Sequence, residues 1–238
     1  MRLQKRLTKT IHLQIGNLSK SYKKNVVFRN TSFSAKHGDC IALVGGNGCG
    51  KSTFLGMISG IIQSDFGTIT VKINDAIIPK KRLGEHVAYV PQNNFLLREL
   101  SGYDNLLFWY QCDKDKMKND INNGFISNLG INDYLDERIE KMSVGMQKRI
   151  ALACALACRP EVLLLDEVNA PLDIICKIQI QEFLAEYARK GNIVIMATHD
   201  EGDVNICNRI CYINNQTINE VEKTSLRDVF MKNHEEHV

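Results

Sequence analysis

A glycine-rich segment, residues 45–53, has the residue types and spacing that bind phosphate groups. It fits the pattern G-x-x-x-x-G-K-[ST], follows a short apolar strand at residues 40–44, and leads into a predicted helix over residues 54–59. In such a loop the backbone N–H groups and the positive end of the helix dipole point at one anion. We therefore predict a nucleotide site rather than a glycine-rich turn with a chance lysine. The predicted contacts are Gly45, Gly46, Asn47, Gly48, Cys49, Gly50, Lys51, Ser52 and Thr53.

Two side chains of this loop and an acidic pair elsewhere have complementary chemistry. Lys51 is a mobile cation for the β- and γ-phosphates, and the hydroxyl of Ser52 is a ligand for Mg²⁺. Asp166 and Glu167 end an apolar strand predicted at residues 162–165, and ligands of α/β sheets bind at such strand ends. We expect Asp166 to hold Mg²⁺ through a water and Glu167 to polarise the attacking water as general base. The alternative is two acids that end a strand by chance.

The elements that must position these residues are short strands and helices. Strands are predicted at residues 11–19, 26–35, 40–44, 67–73, 87–92, 162–165 and 193–197, with a polar turn at residues 20–25. Helical spacing occurs at residues 104–111, 121–129, 144–157 and 174–190, with a charged run at residues 113–116 interrupting the first two. Continuous apolar strands that alternate with helices indicate a parallel sheet covered on both faces. Residues 96–160 read as a helical insertion between two strands of that sheet.

The composition and charge of the chain limit the kinds of partner and binding site that it can have. The chain has 238 residues, a hydrophobic fraction of 44% and a formal charge of +3, so a real core is expected and no strong field indicates a nucleic-acid partner. The longest apolar runs are far shorter than a membrane span. The eight cysteines include no C-x-x-C pair, so we expect no zinc site and mostly buried thiols in a reducing compartment.

Cys49 is a separate case, because it lies in the glycine-rich segment beside Lys51 and a helix N-terminus. That setting lowers a thiol pKa. We expect a maleimide to inactivate the protein and MgATP to protect it.

The segment before the helix at residues 144–157 resembles the signature of the ATP-binding cassette (ABC) family, which begins leucine-serine-glycine-glycine-glutamine. Ser143 and Gly145 match the serine and the second glycine, whereas Val144 and Met146 depart from the pattern. The variant resembles that of one exporter-like branch. A serine hydroxyl and a glycine-opened helix N-terminus both suit a γ-phosphate. The alternative is an ordinary Ser143 N-cap.

Other motifs occur in the order that the family has them, over about residues 11–222. Tyr22 resembles the aromatic residue that stacks on adenine, and Gln92 resembles the glutamine that reaches Mg²⁺ and the attacking water. Asp173 resembles the aspartate that communicates across a dimer, and His199 resembles the switch histidine at the γ-phosphate. Taken alone, Tyr22 reads as an exposed tyrosine in a turn, and His199 as a structural histidine.

The resemblance implies an α/β fold of the P-loop NTPase type. We expect a mixed or parallel core sheet, an antiparallel β subdomain and the helical subdomain inserted at about residues 96–160. Residues 1–238 are expected to form one ABC ATPase domain.

The resemblance also implies a function. Two cassettes, identical or different, would pack head to tail and close on ATP and Mg²⁺, and hydrolysis would release them. The chain would be the ATP-hydrolysing subunit of a transporter. It would power transport, with export favoured, through a separate integral membrane permease. It would lie in the cytoplasm, peripheral on the inner face of the cell membrane. The rival is a soluble, non-transport ABC ATPase that acts on a macromolecular complex.

A docking surface for the permease is expected near residues 93–107. Phe95, Leu96 and Leu97 form an apolar cluster beside a polar loop, and such a cluster suits a groove that receives a short helix. The alternative is that all three pack under the helical insertion.

Overall fold

The computed structural model describes residues 9–93, 95–124, 126–168, 172 and 174–223. Asp173, predicted to communicate across a dimer, lies outside these residues. The helices of the described part are α1 Lys51–Ile58, α2 Leu83–His86, α3 Gly102–Trp109, α4 Lys114–Asn122, α5 Val144–Leu156, α6 Ile174–Arg189 and α7 Glu201–Ile206.

One sheet is antiparallel, with the strand order β2-β1-β4-β5. Its strands are β1 Ile11–Tyr22, β2 Asn25–Lys36, β4 Phe66–Ile73 and β5 Ala76–Ile77. β1 buries Ile11, Leu13 and Ile15 in alternation, as a strand with one face on a core does. The prediction that this strand ends at residue 19 was wrong, because cross-strand pairing continues to Tyr22 opposite Asn25. Tyr22 therefore ends a strand and does not lie in a turn.

The other sheet has the order β10-β9-β3-β8-β7-β6, and all its strands are parallel except β10. Its strands are β3 Cys40–Val44, β6 Val87–Val90, β7 Val162–Asp166, β8 Ile193–Ala197, β9 Arg209–Asn214 and β10 Thr217–Val221. All five residues of β3 are buried. The predicted mixed core sheet and antiparallel β layer are both confirmed.

The central sheet separates two hydrophobic clusters. Ala42 of β3 packs in the cluster that contains Leu106 of α3 and Leu152 of α5. Its neighbour Leu43 packs in the cluster that contains Phe54 of α1 and the antiparallel sheet. Because successive strand residues point to opposite faces, a continuous apolar run fills both clusters.

The helical segment between β6 and β7 differs from its prediction in two places. The charged run at residues 113–116 does not interrupt the helices but begins α4, because the Asp113 side chain accepts a hydrogen bond from the backbone N–H of Lys116 and caps that helix. The helix predicted at residues 121–129 is instead the end of α4 followed by a short 3₁₀ turn at Ser127–Leu129. The boundary of a helical subdomain at residues 96–160 stays a prediction.

Most cysteines are buried, as expected: Cys40, Cys154, Cys176, Cys207 and Cys211. Cys112 and Cys158 are exposed. Within the described residues, no helix combines the length and apolarity needed to cross a bilayer.

Candidate nucleotide-binding site

The predicted phosphate loop, residues 45–53, connects the buried end of β3 to the first turn of α1. Gly50 caps α1 with a φ of 111°, and a Cβ atom there would lie 2.5 Å from Cγ1 of Val27 and 3.0 Å from the ring of Phe28. Only glycine fits both the backbone angle and the space. The loop is therefore held against β2. It borders a cleft of about 440 Å³ lined by Asn47, Gly48, Gly50, Lys51, Ser52, Thr53, Gln92 and Glu167.

Lys51 is buried at the floor of the loop. Its ammonium donates hydrogen bonds to the carbonyl oxygens of Gly45 at 2.9 Å and Gly46 at 3.3 Å. It also lies 2.9 Å from Nε2 of His199. A lysine ammonium has only donors, so this contact is a hydrogen bond when Nε2 is unprotonated and accepts. Burial and then the Lys51 charge lower the pKa of His199, against an opposing effect of Glu167.

Asp166 is the last residue of β7 and is buried. Its Oδ2 accepts a hydrogen bond from the hydroxyl of Tyr89 at 3.0 Å. Burial and then the nearby Asp166 charge raise the pKa of Tyr89, so Tyr89 stays a donor. Sequence reasoning missed Tyr89, although its strand was predicted. β6 pairs with β7, and Tyr89 lies opposite Leu164, two residues before Asp166.

Glu167 has a left-handed backbone, with a φ of 49°, a conformation that costs a non-glycine residue free energy. Its N–H donates to the carbonyl of Ala197 at 2.9 Å. The side chain accepts a hydrogen bond from Nε2 of Gln92 at 2.8 Å on Oε2, and its Oε1 lies 3.4 Å from Nε2 of His199. The structure thus brings Gln92, Glu167, His199 and Lys51 together in one continuous series of contacts.

Lys148 of α5 also belongs to this region, and no sequence pattern pointed to it. It is 6% exposed, and its ammonium donates to the carbonyl oxygen of Gln92 at 2.7 Å. Burial lowers the pKa of Lys148, and the negative charge of Asp166 opposes that shift.

The backbone beside His199 is fixed by a further polar group. Asp200 caps α7 by accepting from the N–H groups of Gly202 and Asp203, and it accepts from Nζ of Lys177 at 2.6 Å. The hydroxyl of Thr198 donates to Asp203 at 2.6 Å. His199 is therefore held between the end of β8 and a capped helix.

Outside the phosphate loop, the predicted nucleotide contacts Ser143, Gly145 and Tyr22 do not line the cleft in this chain. Ser143 is exposed and caps α5, accepting from the N–H of Met146 at 3.2 Å. Gly145 is half-buried in the first turn of that helix. Tyr22 is 47% exposed, and the Lys20 ammonium lies 5.1 Å from its ring centroid. Their roles at a nucleotide stay predictions.

Tyr22 is adjacent to a second hollow. Asn25, its cross-strand partner, lines a space of about 330 Å³ together with Val26, Val27 and the outer face of the phosphate loop at residues 46–49. The turn between β9 and β10 closes the other side of that space.

The prediction of an acidified Cys49 thiol was wrong. Cys49 is half-buried in the loop, and burial raises its pKa above the usual value. The Lys51 charge and the backbone N–H groups lower the pKa, but by less than burial raises it. Proximity to a cation was readable from the sequence, whereas the burial was not.

Two hard oxygen ligands for a cation, Ser52 and Gln92, line the cleft, and a third, Asp166, is the buried last residue of β7. Ser52 is exposed, and the Asp166 carboxylate uses Oδ2 for only one hydrogen bond that the structure gives. No group of three or more His, Cys, Asp or Glu side chains in the described part of the chain could hold a metal. Mg²⁺ bound with substrate phosphates needs only one or two protein ligands, and these residues fit that mode.

Comparison with known proteins shows which proteins this chain is similar to. A family model described as "ABC transporter" matches residues 28–170. The linearmycin resistance ATP-binding protein LnrL of Bacillus subtilis is 33% identical over 204 residues, which are 83% of this chain and 65% of that protein. The Nod factor export ATP-binding protein I of Sinorhizobium fredii is 32% identical over 209 residues, 85% of this chain and 60% of that protein.

An importer protein is equally similar. The spermidine/putrescine import ATP-binding protein PotA of Mycoplasma mycoides is 32% identical over 215 residues, 88% of this chain and 60% of that protein. The chain therefore spans 60–65% of the length of these three curated relatives.

Solved structures share the fold. A dimeric ATP-binding cassette bound to ADP and phosphate, in a post-hydrolysis state, superposes with a TM-score of 0.77 at 22% identity. The match covers 88% of this chain and 98% of that one. Because the family model covers more than half of the residues, this chain belongs to the ABC transporter family of ATP-binding cassettes.

Proposed function

We propose that this chain is the ATP-hydrolysing subunit of an ABC transporter. The observation that carries the proposal is the series of contacts from Gln92 through Glu167 and His199 to Lys51, which borders a cleft beside the phosphate loop. A glutamine, a carboxylate, a histidine and a lysine at one phosphate-binding loop form the set that positions a water against a γ-phosphate.

ATP binding would use the loop first. The N–H groups of residues 45–50 and the N-terminus of α1 would surround the phosphates. The Lys51 ammonium, now on the Gly45 and Gly46 carbonyls and close to His199, would transfer to the β- and γ-phosphates. His199 would then lose its lysine partner and, with a proton on Nε2, donate to a γ-phosphate oxygen. Adenine would stack on Tyr22 beside the hollow that Asn25 lines.

Mg²⁺ would be held by Ser52 and Gln92, and by Asp166 through a water. When bound, it supplies charge stabilisation for the phosphate oxygens. Tyr89, through its hydrogen bond to Oδ2, would keep the Asp166 carboxylate oriented toward the cleft.

Hydrolysis would proceed from Glu167. Its carboxylate would take a proton from a water as the water oxygen bonds to the γ-phosphorus and the bond to the β–γ bridging oxygen breaks. The products are ADP and phosphate. The side-chain amide of Gln92 lies 2.8 Å from Glu167, so it would orient both the base and the water. Positioning and charge stabilisation account for most of the rate in such reactions.

A complete site would need a second cassette, identical or different. Ser143 and Gly145 lie on α5 and not at this chain's cleft. They would contact the γ-phosphate bound by the partner, and Asp173 would communicate between the two sites. ATP would thereby hold the pair closed, and hydrolysis would release it.

Transport would require a separate membrane permease, with the chain peripheral on the cytoplasmic face of the membrane. We favour export because the signature has the serine-x-glycine-methionine form, and one relative is named an export protein, although another is named an import protein. The rival soluble function has less support, since the relatives described above all carry transport or resistance names.

The direct test is MgATP binding and phosphate release by the purified chain. Lys51→Met keeps the aliphatic stem but removes the ammonium, so it should weaken MgATP binding by about tenfold or more, the usual effect of one lost charge-assisted hydrogen bond. Lys118→Met is the matched control, because Lys118 is exposed on α4. Wild type that binds MgATP no better than Lys51→Met would contradict the proposal.

A further inference from the structure

The buried Lys148 ammonium has one hydrogen-bond acceptor that the structure gives, the carbonyl oxygen of Gln92 at 2.7 Å. Gln92 follows β6 closely and belongs to a loop whose side chains are largely exposed. A charge-assisted hydrogen bond from a buried donor is strong and short. Lys148 therefore fixes the backbone at Gln92 from the side of α5.

The side chain of Gln92 contacts the proposed general base, Glu167. Its side-chain amide donates to Oε2 of Glu167 at 2.8 Å. A shift of the Gln92 backbone would move this amide, and so would change how the Glu167 carboxylate is held.

Lys148 also shares a rigid element with the signature serine. α5 runs without interruption over Val144–Leu156 and is capped by Ser143. Five residues of α-helix rise about 7.5 Å, so Ser143 and Lys148 move together when the helix moves. A contact made at Ser143 is thus mechanically connected to the carbonyl of Gln92.

We propose that Lys148 is a positioning residue for ATP hydrolysis, which couples the signature end of α5 to the Gln92–Glu167 pair through the Gln92 carbonyl. This inference rests on the proposed function. Lys148 touches neither substrate nor reacting atoms in it. Its role is to keep the base and the water-orienting amide in register when α5 is held by the partner's nucleotide.

A competing role is charge balance, since the Asp166 carboxylate is near enough to favour the charged form of Lys148. If Lys148 only neutralised the charge of Asp166, the effect of Lys148→Met on kcat would be the same with and without the Gln92 side chain. The two roles are therefore separable by a double-mutant cycle.

The test compares wild type, Lys148→Met, Gln92→Ala and the double variant in steady-state MgATP hydrolysis. Lys148→Met should lower kcat by about tenfold, the effect of one lost charge-assisted hydrogen bond. The Kd for MgATP should stay within about twofold, because Lys148 does not line the cleft. Lys148→Arg keeps a cationic donor and should have a kcat between wild type and Lys148→Met. Lys118→Met is the control for the loss of a helix lysine.

In the Gln92→Ala background, Lys148→Met should lower kcat by less than about twofold, because the amide it positions is already gone. Fully additive losses would overturn the proposal, as would a wild-type kcat in Lys148→Met. Should Lys148→Met fail to fold, Lys148→Gln, a shorter neutral donor, takes its place in the same cycle.

A readout that does not depend on hydrolysis is amide hydrogen exchange without nucleotide. Lys148→Met should speed exchange at residues 92–97, and unchanged exchange there would overturn the anchoring. If wild type hydrolyses MgATP no faster than Glu167→Gln, the proposed function fails, while the exchange result still decides whether Lys148 holds this loop.

Discussion

Nζ of Lys51 lies 2.9 Å from Nε2 of His199, although the two residues are 148 positions apart in the chain. The register of the central sheet produces this meeting, because Leu43 of β3 pairs with Ala197 of β8 and the N–H of Thr198 donates to the carbonyl of Leu43. The phosphate loop and the histidine therefore follow neighbouring strand ends. A γ-phosphate at this point would compete with His199 for the lysine.

This contact makes stability depend on pH through His199. Its pKa is lowered in the folded protein by burial and by Lys51, so below about pH 6.5, the unperturbed value, the unfolded state binds more protons. The free energy of unfolding should therefore fall as the pH drops from 6.5 through the folded pKa. In urea titrations at pH 7.5 and 5.5, His199→Gln should have a smaller pH dependence than wild type. An equal pH dependence in the two proteins would argue against the Lys51–His199 contact.

Glu167→Gln should bind MgATP but hydrolyse it at least about 100-fold more slowly, as loss of a general base predicts. The proposed Mg²⁺ ligands Ser52, Gln92 and Asp166 are unchanged in this variant, so the Kd for MgATP should stay within about twofold. With ATP the variant should elute from gel filtration as a closed dimer. Glu182→Gln, on the exposed face of α6, is the control, and near-normal turnover of Glu167→Gln would refute the base assignment.

Tyr22→Ala should weaken ATP binding, whereas Tyr22→Phe should not, because stacking needs the ring and not the hydroxyl. The expected loss is about 1–2 kcal/mol, the scale of aromatic pairing. Lys20 holds one face of the ring, which leaves the other for adenine. Titration with a fluorescent ATP analogue measures the three affinities, and three equal values would rule out stacking on Tyr22.

Cys49 should react with a maleimide more slowly than the exposed Cys112 near neutral pH, because burial raises its thiol pKa and the thiolate is the reactive form. Raising the pH from 7 to 9 should increase the rate at Cys49, and MgATP should reduce it. Peptide mass spectrometry of a timed labelling reaction gives both rates. Faster labelling at Cys49 than at Cys112 at pH 7 would contradict the raised pKa.

The site's local parts were predictable from the sequence, and its long-range contacts were not. Two local patterns predicted the site: the glycine spacing of residues 45–53, and the acids that follow the apolar strand at residues 162–165. The strands next to these patterns, β3 and β7, lie where the sequence predicted them. The contact between Lys148 and Gln92 joins residues 56 apart and depends on how α5 packs on the sheet. No periodicity carries that information. The same holds for the burial that reverses the pKa shift expected of Cys49.

In the helical segment between β6 and β7, a prediction from the local sequence was wrong. Aspartate and lysine at residues 113–116 read as a break, because charge lowers the apolar periodicity on which helix prediction depends. In the structure Asp113 caps α4, and the buried Met117 and Ile121 lie four residues apart on its inner face. The buried Asp120 pairs with Arg159 beyond α5. A tertiary ion pair of this kind offsets the burial of a charge and cannot be read from the helix alone.

The predicted permease-docking cluster divides into two parts. Leu96 is 6% exposed and belongs to the core, and Phe95 packs edge-on against Trp109 with ring centroids 5.6 Å apart. Leu96 and Phe95 therefore pack against the helical segment, as the alternative interpretation of this cluster stated. Leu97 is 52% exposed, and Phe108 of α3 is 68% exposed. Leu97 is thus the one residue of the predicted cluster exposed enough for the proposed contact with a membrane subunit.

Leu97→Glu should leave MgATP binding unchanged and abolish co-purification with a multi-spanning membrane protein from detergent extracts. A carboxylate placed in an apolar contact must be desolvated without a partner, which costs far more than the lost leucine contact. Phe95→Glu would disturb the Trp109 packing as well, so its effect would mix stability with docking. Ile61→Glu is the matched control, because Ile61 is 71% exposed just after α1. If Leu97→Glu stays folded and still recovers the same membrane protein as Ile61→Glu, the docking surface lies elsewhere.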